Sequence, residues 1–471
     1  MIETCFEIGY TLITVLLLGF FISTSLQKKV RRYCEIKWWV LFGFIFNLLS
    51  FSWLYTIYPL IWMPEGLTQI LGITLLHVIL SVSSGLAFVV VGYAFFYVRT
   101  IASYKRPFVI ASSFTVAEML RSLIISLLYY GEGTTIDLHF NAGTLGNALS
   151  TTPLVELAYY GGTFALTFTV TYLIYAILSL TLKEVLPHCL IITSIFLVTH
   201  FFVPTRTPNE DLLIGIVTSD IPTVKDEILK EKMKESNRLI ASLLLEDKSK
   251  KNIIVLPEDS RFLSSLSQKE REALEANKRG TVILDGDTVV YNDKLATISL
   301  FLEAGKSESY WRGKEFLLPF NEYIPYFFGR IFGLFMGGGL VKYQSHHTYS
   351  PVQSGKTVTF NNTRIGTLIC SEILSYRMIE RLGNEHPQLI FFQSRLNVFN
   401  SSPLFLMHLR SFSKVAAAQL RTPILSSNNY APSYLISARG SISATIPRST
   451  SYSTILLKQG GIGAPEVILK N

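Results

Sequence analysis

Residues 311–326, WRGKEFLLPFNEYIPY, place Lys314 in a run of bulky apolar and aromatic residues, with Glu322 eight positions further on. A lysine beside strand-like residues is usually solvated, and its aliphatic stem lies along apolar surface. An ammonium group that serves chemistry needs reactive partners close by. The function of Lys314 therefore depends on what the rest of the chain supplies.

Charge divides the chain into two parts. The 471 residues are 49% hydrophobic and 16% charged, and only 10 of the 42 Lys and Arg residues and 9 of the 34 Asp and Glu residues precede residue 205. Globular proteins usually carry about 25% charged residues. We therefore predict a transmembrane helical domain, 1–204, a linker, TRTPNED, at 205–211, and a water-soluble domain within 205–471.

Six apolar segments of the first part are long enough to span a bilayer. They are residues 6–26, 38–61, 67–98, 108–130, 156–182 and 186–204. The first and third connecting loops carry the basic residues Lys28, Lys29, Arg31, Arg32, Lys37, Arg99, Lys105 and Arg106. Because basic loops stay in the cytoplasm, the second part is expected on the extracytoplasmic side.

Glu118 and Arg121 lie three residues apart in the fourth apolar segment, so a helix places both on one face. Charges at this depth are costly and tend to pair or to face a cavity. Two interpretations stay open, an internal ion pair and a role in lipid binding.

The second part alternates short apolar runs with polar helical stretches, which predicts a layered α/β domain whose strands are buried on both faces. The predicted strands lie within 212–222, 252–259, 281–287, 288–293, 296–302, 365–370 and 389–394, and the predicted helices within 225–248, 268–279 and 402–420. Residues 335–347, FMGGGLVKYQSHH, are expected to form a mobile loop over the cysteine described next.

Three apolar strands of this part end at Glu258, Lys314 and Cys370. A carboxylate, an ammonium and a thiol together would make a nucleophilic site, in which the thiol is expected to be more acidic beside the lysine. Each residue also has a simpler explanation. A cysteine that ends an apolar strand is usually core, and a glutamate after Leu-Pro suits a helix N-terminus. The four cysteines show no metal-binding spacing.

The order LPED, K-x-x-L-L-P-F-N-E-Y-x-P and LIC-x-E resembles the carbon–nitrogen hydrolase (nitrilase) superfamily with its Glu–Lys–Cys triad. The lysine segment, with FGFIFNLLSFSWLYTI, AEMLRS and LLIGIVTSDIP, is similar to the membrane branch, the apolipoprotein N-acyltransferase family. The resemblance implies an αββα sandwich with Cys370 as nucleophile, Glu258 as general base and Lys314 as the cation beside the tetrahedral intermediate. Glu322 and Glu372 fall on supporting positions.

The resemblance also implies two substrates, a phospholipid acyl donor and a diacylglyceryl lipoprotein acceptor, and a multi-pass protein of the bacterial cytoplasmic (inner) membrane. No cofactor, metal ion or nucleic acid is expected. Two other interpretations remain. One is a membrane-tethered amidase or an acyltransferase for another amine, and the other is a non-catalytic binder of lipid or lipoprotein. The intact triad argues against the binder.

Four features depart from the family pattern. Ser371 replaces the usual aromatic residue after the cysteine, and QSRLNVF at 393–399 replaces Ser-Asn-Asp-Ala-Trp-Phe. GEGTTIDLHFNAG at 131–143 stands where the family has Gly-Phe-Pro-Trp. The family's usual first and last spans are also missing. These changes leave the triad intact and bear on donor preference and acceptor fit.

Overall fold

The structure is a computed structural model. It describes residues 2–27, 32–58, 66–140, 143–221, 226–247, 252–278, 280–305, 309–336, 349–355, 357–400, 402–458 and 466–468. Several residues used above therefore lie outside the described part of the chain. They are Lys28, Lys29, Arg31, residues 59–61 and 141–142, the strand end at 222, the helix ends at 225, 248 and 279, and residues 337–347 of the glycine-rich segment.

The first part is helical. Its helices are α1 (Ile2–Gln27), α2 (Arg32–Ser50), α3 (Leu67–Leu86), α4 (Val89–Tyr97), α5 (Arg106–Leu128), α6 (Gly162–Ser179) and α7 (Leu182–Phe202). Among the described residues, six helical segments are long and apolar enough to cross a membrane, as predicted. The third of them contains both α3 and α4.

Two of these segments differ from the predicted ones. The third is interrupted between α3 and α4, where Ala87 N–H bonds to Ser84 O and Phe88 N–H to Gly85 O in a tightened turn. The fifth begins at Gly162 rather than at residue 156, because residues Pro153–Tyr160 form a 3-10 helix. Gly162 has a φ of 59°, a left-handed conformation that stops the helix from continuing backwards.

Glu118 and Arg121 form an internal ion pair in α5. Arg121 Nε lies 2.6 Å from Glu118 Oε2, and both side chains are fully buried. Arg121 also donates to Asn47 Oδ1 at 3.1 Å, and the Leu145 amide donates to Glu118 Oε1 at 3.0 Å. These bonds join α2, α5 and the following loop, so the structural interpretation holds.

The second part is α/β. Its strands are β1 (Leu212–Thr218), β2 (Ile253–Val255), β3 (Val282–Tyr291), β4 (Lys294–Glu303), β5 (Ser309–Gly313), β6 (Thr357–Phe360), β7 (Thr363–Ile369), β8 (Leu389–Arg395), β9 (Ile424–Asn429), β10 (Ser433–Ile436), β11 (Ile442–Ile446), β12 (Ser451–Leu457) and β13 (Glu466–Ile468). Its helices are α8 (Asp226–Glu246), α9 (Phe262–Ser265), α10 (Gln268–Asn277), α11 (Tyr326–Met336), α12 (Tyr376–Asn384) and α13 (Pro403–Leu420).

Two sheets pack face to face between helices. The seven-stranded sheet has the order β13-β12-β1-β2-β3-β4-β5, and the six-stranded sheet has the order β11-β10-β9-β8-β7-β6. Apolar side chains such as Ile214 and Phe391 fill the space between them. On the outer faces, Leu244 of α8 packs on the first sheet, and Leu382 of α12 and Phe412 of α13 pack on the second. This is the predicted αββα sandwich following a helical bundle.

Residues 281–293, predicted as two strands, form the single strand β3. It turns at Asn292 and Asp293, which have φ values of 50° and 60°, into the antiparallel strand β4. Asp285-Gly286 resembles a turn sequence but lies inside the strand. A side chain at Gly286 would lie 2.5 Å from Pro257 O and 2.6 Å from Glu258 Cα, so the glycine allows the strand to pack against the Glu258 turn.

Candidate active site

Three strand ends bring Glu258, Lys314 and Cys370 together. Glu258 follows β2, Lys314 follows β5 and Cys370 follows β7, so the site draws on both sheets. The three residues are buried, with Lys314 only 1% exposed. The structure thus assembles the three side chains that the sequence singled out.

Lys314 lies between two carboxylates. Its Nζ donates to Glu258 Oε1 at 3.0 Å and to Glu322 Oε1 at 2.8 Å. Burial lowers the pKa of Lys314, but the charges of Glu258 and Glu322 outweigh this effect and raise it well above its usual value. The ammonium is therefore permanent, and Glu322 holds it in place, with its second oxygen accepting the Leu318 amide.

Cys370 begins a 3-10 turn, Cys370–Leu374, with a φ of 43°. A left-handed conformation is strained for a residue with a side chain, and such strain is common where a reactive group must point into a site. The turn places the sulfur close enough to Glu258 and Lys314 for the charges of both side chains to act on it.

Lys314 lowers the pKa of the Cys370 thiol, as expected, but the net shift of this pKa is upwards. Burial raises the pKa of the thiol, Glu258 raises it further, and the opposing charge of Lys314 is too weak to compensate. The resting site therefore holds a protonated thiol beside a carboxylate. The proton can leave the sulfur only when Glu258 accepts it.

Glu372 connects the nucleophile turn to the lysine strand. Its Oε2 accepts from Arg312 at 2.6 Å and from the Ile369 amide at 2.9 Å, and its Oε1 accepts from the Glu315 amide at 2.9 Å. Both Glu372 and Arg312 are buried. Sequence reasoning missed Arg312, although its spacing of two from Lys314 on a strand places both on one face.

Arg395, one of the departures from the family pattern, also reaches the site. Its amide donates to Glu258 Oε2 at 2.9 Å, and its guanidinium pairs with Asp259. Asp259 Oδ1 also accepts from Arg261 Nε at 2.6 Å. Burial raises the pKa of Asp259, but Arg395 and Arg261 outweigh it and hold the pKa below its usual value. The main-chain amide of Arg395 in β8 thus holds the carboxylate of Glu258, the general-base candidate, in place.

Ser371, another departure, fits its surroundings. Its hydroxyl donates to Phe316 O at 2.6 Å, which ties the nucleophile turn to the segment after Lys314. The ring of Phe316 in turn stacks on His139, with centroids 4.8 Å apart. A larger aromatic residue at 371 would have to displace this contact.

His139 brings the helical part to the site. Its Nδ1 lies 2.8 Å from Oγ of Ser375, the residue that caps α12 just after the nucleophile turn. Burial lowers the pKa of His139 to about 4, and Asp137 only partly opposes this, so the ring is neutral near pH 7. Neither sequence periodicity nor a motif indicated this residue, because it lies in the irregular loop after α5.

Asp285 is a second residue that the sequence did not indicate. Its Oδ1 accepts from Ser260, whose hydroxyl also donates to Pro257 O at 3.0 Å, and its Oδ2 accepts from the Leu263 amide at 2.8 Å. Asp285 is fully buried. It therefore braces the turn that carries Glu258.

We expect Asp285 to make stability depend on pH. Burial raises the pKa of Asp285 to about 7, despite the lowering effect of its hydrogen bonds. Its contribution to stability is present below the unfolded pKa, about 4, and is lost as the pH rises towards 7, a change of a few kcal/mol. Asp285→Asn keeps the shape and should remove this slope, so its thermal midpoint should exceed that of the wild type increasingly from pH 4 to pH 7.

The control is Asp293→Asn, because Asp293 is exposed in the β3–β4 turn, where asparagine suits a left-handed conformation. Its midpoint should track that of the wild type at each pH. A difference between Asp285→Asn and the wild type that stays constant from pH 4 to pH 7 would show that Asp285 does not titrate in this range.

No group of three or more His, Cys, Asp or Glu side chains is arranged to hold a metal ion within the described ranges. The three side chains of the site offer nucleophilic and acid–base chemistry. The thiol supplies the nucleophile, Glu258 can accept and return its proton, and Lys314 supplies a fixed positive charge.

No protein-family model matches the chain. No curated protein matches it either. Among solved structures, it is similar to a branch 10 nitrilase superfamily member from Saccharomyces cerevisiae, with 12% identity over 54% of this chain and 93% of the other and a TM-score of 0.39. A carbon–nitrogen hydrolase from Helicobacter pylori gives 11% identity, 53% and 90% coverage and a TM-score of 0.38. An amidase from Nesterenkonia is 10% identical over 55% of this chain and 93% of the other, with a TM-score of 0.36.

Proposed function

We propose that this chain is an apolipoprotein N-acyltransferase. It would move an acyl chain from a phospholipid, through a thioester on Cys370, to the free α-amine of the diacylglyceryl-cysteine of a lipoprotein. The observation that carries the proposal is the buried triad, in which Lys314 bonds to Glu258 and the charges of both act on the Cys370 thiol.

In the first half-reaction, Glu258 accepts the Cys370 proton while the sulfur attacks an ester carbonyl of the phospholipid. The carbonyl oxygen becomes an oxyanion that the ammonium of Lys314 stabilises. As the intermediate collapses, the carbon–oxygen bond to the glycerol breaks, and Glu258 gives the proton to the departing oxygen. A lysophospholipid leaves, and the acyl chain stays on the sulfur.

In the second half-reaction, the α-amine of the lipoprotein attacks the thioester. Glu258 accepts a proton from the nitrogen, an amide forms, and the carbon–sulfur bond breaks. The sulfur takes the proton back, which restores the thiol. The raised pKa of Cys370 favours this last step, because the protonated thiol is the stable resting form.

The helical part supports a lipid substrate. The segment after Lys314 packs on the ends of the spanning helices through an aromatic seam: Phe316 and Phe320 contact Phe140 and Tyr129, with ring centroids 5.2 and 5.7 Å apart. Lys314 therefore lies only two residues before a side chain that packs on the ends of the apolar helices. Substrates that stay in a membrane would reach it without leaving the bilayer.

The sequence supports the finer points. The lysine segment and the LIC-x-E motif are similar to the acyltransferase family, and this resemblance implies a bacterial inner membrane. The basic loops favour an extracytoplasmic position of the α/β domain, 205–471. Glu322 and Glu372 would act as supporting residues, because one holds Lys314 and the other holds the nucleophile turn.

The test uses the purified full-length protein in vesicles of a phospholipid with a labelled acyl chain and no acceptor. We expect label to stay on the protein as a thioester that neutral hydroxylamine releases. Cys370→Ala should carry none, whereas Cys34→Ala, the matched control at an exposed cysteine, should label like the wild type. A diacylglyceryl peptide with a free amine should then remove the label, and its N-acetylated form should not.

Two outcomes would contradict the proposal. Equal labelling of Cys370→Ala and the wild type would exclude an acyl-enzyme on this sulfur. A thioester that forms from small amides but from no phospholipid would support the amidase alternative instead.

A further inference from the structure

An apolar cleft runs along α1 in the helical part. It has a volume of about 510 Å³, and its walls include Cys5, Gly9, Ile13, Leu17, Leu49 and Leu404. From Cys5 to Leu17 the helix rises about 18 Å, because each residue adds about 1.5 Å. The cleft is therefore long and narrow, and none of the residues that line it belongs to the triad.

The cleft lies at the end of α1 that adjoins the α/β part. Lys414 Nζ lies 2.8 Å from Glu7 Oε2, and the ring of His408 contacts Tyr10 with centroids 5.0 Å apart. These contacts hold α1 against α13, whose Leu404 forms part of the cleft wall. The cleft thus lies between α1, α2 and the start of α13.

Gly9 keeps the cleft open. A Cβ atom at this position would meet nothing within 4 Å, so the space beside it is not filled by protein. Cys5 and Ile13, on the same face of α1, are exposed. Because α1 is one of the segments long and apolar enough to cross a membrane, this face would meet hydrocarbon rather than water in a bilayer.

We propose that the cleft binds one acyl chain of a membrane phospholipid. An empty apolar space next to a bilayer loses the van der Waals contacts that a hydrocarbon chain would make along its walls. A phospholipid supplies such a chain with the length and slenderness that the cleft has. This binding does not require the phospholipid to react, so it extends beyond the proposed acyl transfer.

The test compares Gly9→Leu with Gly19→Leu in the full-length protein. Both glycines lie in α1 with open space around the Cβ position, but Gly19 does not line the cleft. After incubation with phosphatidylglycerol vesicles and extraction in a mild detergent, native mass spectrometry should find one retained phospholipid on the wild type and on Gly19→Leu. Gly9→Leu should retain about ten-fold less.

A second measurement keeps the proposal testable if Gly9→Leu fails to fold. Phosphatidylglycerol should slow the alkylation of Cys5 in the wild type about ten-fold, whereas Cys34, which is exposed but does not line the cleft, should react at the same rate. Lipid that merely surrounds the helices would slow both cysteines or neither.

Equal phospholipid retention by Gly9→Leu and Gly19→Leu, or unchanged alkylation of Cys5, would overturn the proposal. Neither measurement depends on thioester formation. A protein that binds the lipid without forming an acyl-enzyme would refute the proposed function alone, and an acyl-enzyme without lipid in the cleft would refute this inference alone.

Discussion

Glu258→Gln should lower the rate of thioester formation by a factor of about 10²–10⁴ at neutral pH, the usual contribution of a general base. Glutamine has the size of glutamate and can still accept from Lys314, but it cannot take the thiol proton. Because the pKa of Cys370 is raised, the thiol does not ionise by itself near pH 7. The rate of labelling from a phospholipid measures this loss directly.

The pH profile distinguishes a lost base from a damaged site. Glu258 itself raises the pKa of Cys370, so its removal should make the thiol more acidic, and the residual rate of the variant should rise with pH more steeply than that of the wild type. Glu275→Gln, at a surface pair with Arg271 on α10, is the matched control and should leave the rate unchanged. A Glu258→Gln variant with the wild-type rate would remove Glu258 from the mechanism.

Lys314→Met should cost both activity and stability. Loss of the cation that faces the oxyanion should slow thioester formation by about 10²–10³. It also leaves Glu258 and Glu322 buried without their shared partner, and breaking a buried ion pair from one side costs about 3–5 kcal/mol. Urea unfolding and labelling kinetics would measure the two losses on the same preparation.

Two further variants separate these effects. Lys314→Met/Glu322→Gln removes one of the two orphaned charges, so it should recover part of the stability and none of the activity. Lys294→Met breaks a partly exposed pair with Glu132 and should cost no more than about 1 kcal/mol. If the double variant recovered activity, Lys314 would have only a structural role.

The stability of Lys314→Met should also depend on pH in a defined direction. Burial raises the pKa of Glu322, and in the wild type Lys314 opposes this rise. Without the lysine, the folded-state pKa should be higher still. The variant should therefore come closest to wild-type stability below the unfolded pKa of about 4.3 and fall further behind as the pH rises through the folded-state value.

Local patterns in the sequence were sufficient for the main elements, whereas the grouping of Glu258, Lys314 and Cys370 was predicted from the resemblance to the nitrilase superfamily. Apolar runs of span length predicted the six spans, and alternation of strands with helices predicted the layers. The lysine and Glu322, eight residues apart, proved to be joined directly by a hydrogen bond of 2.8 Å. These features depend on neighbouring residues, which a sequence displays.

Features that depend on depth or on distant packing were missed. The net rise in the pKa of Cys370 was missed because burial outweighs the lowering effect of Lys314, and the sequence does not show how deeply a strand end lies. Asp285 was missed because the dipeptide Asp285-Gly286 resembles a turn sequence, although it lies inside β3. His139 reaches Ser375 across 236 positions of the chain, and no periodicity records such a contact.

Aromatic and apolar contacts between the segment after Lys314 and the helices hold the two parts of this protein together. Phe316, Phe320, Phe328 and Phe332 share one apolar cluster with Leu76, Leu80 and Ile125 of the helices. A fragment without residues 1–211 would expose these aromatic rings to solvent. It would also lack His139, which bonds to Ser375 just after the nucleophile turn. The helical part is synthesised first, so we expect the site at Glu258, Lys314 and Cys370 to be complete only after the later α/β part has packed onto the helices.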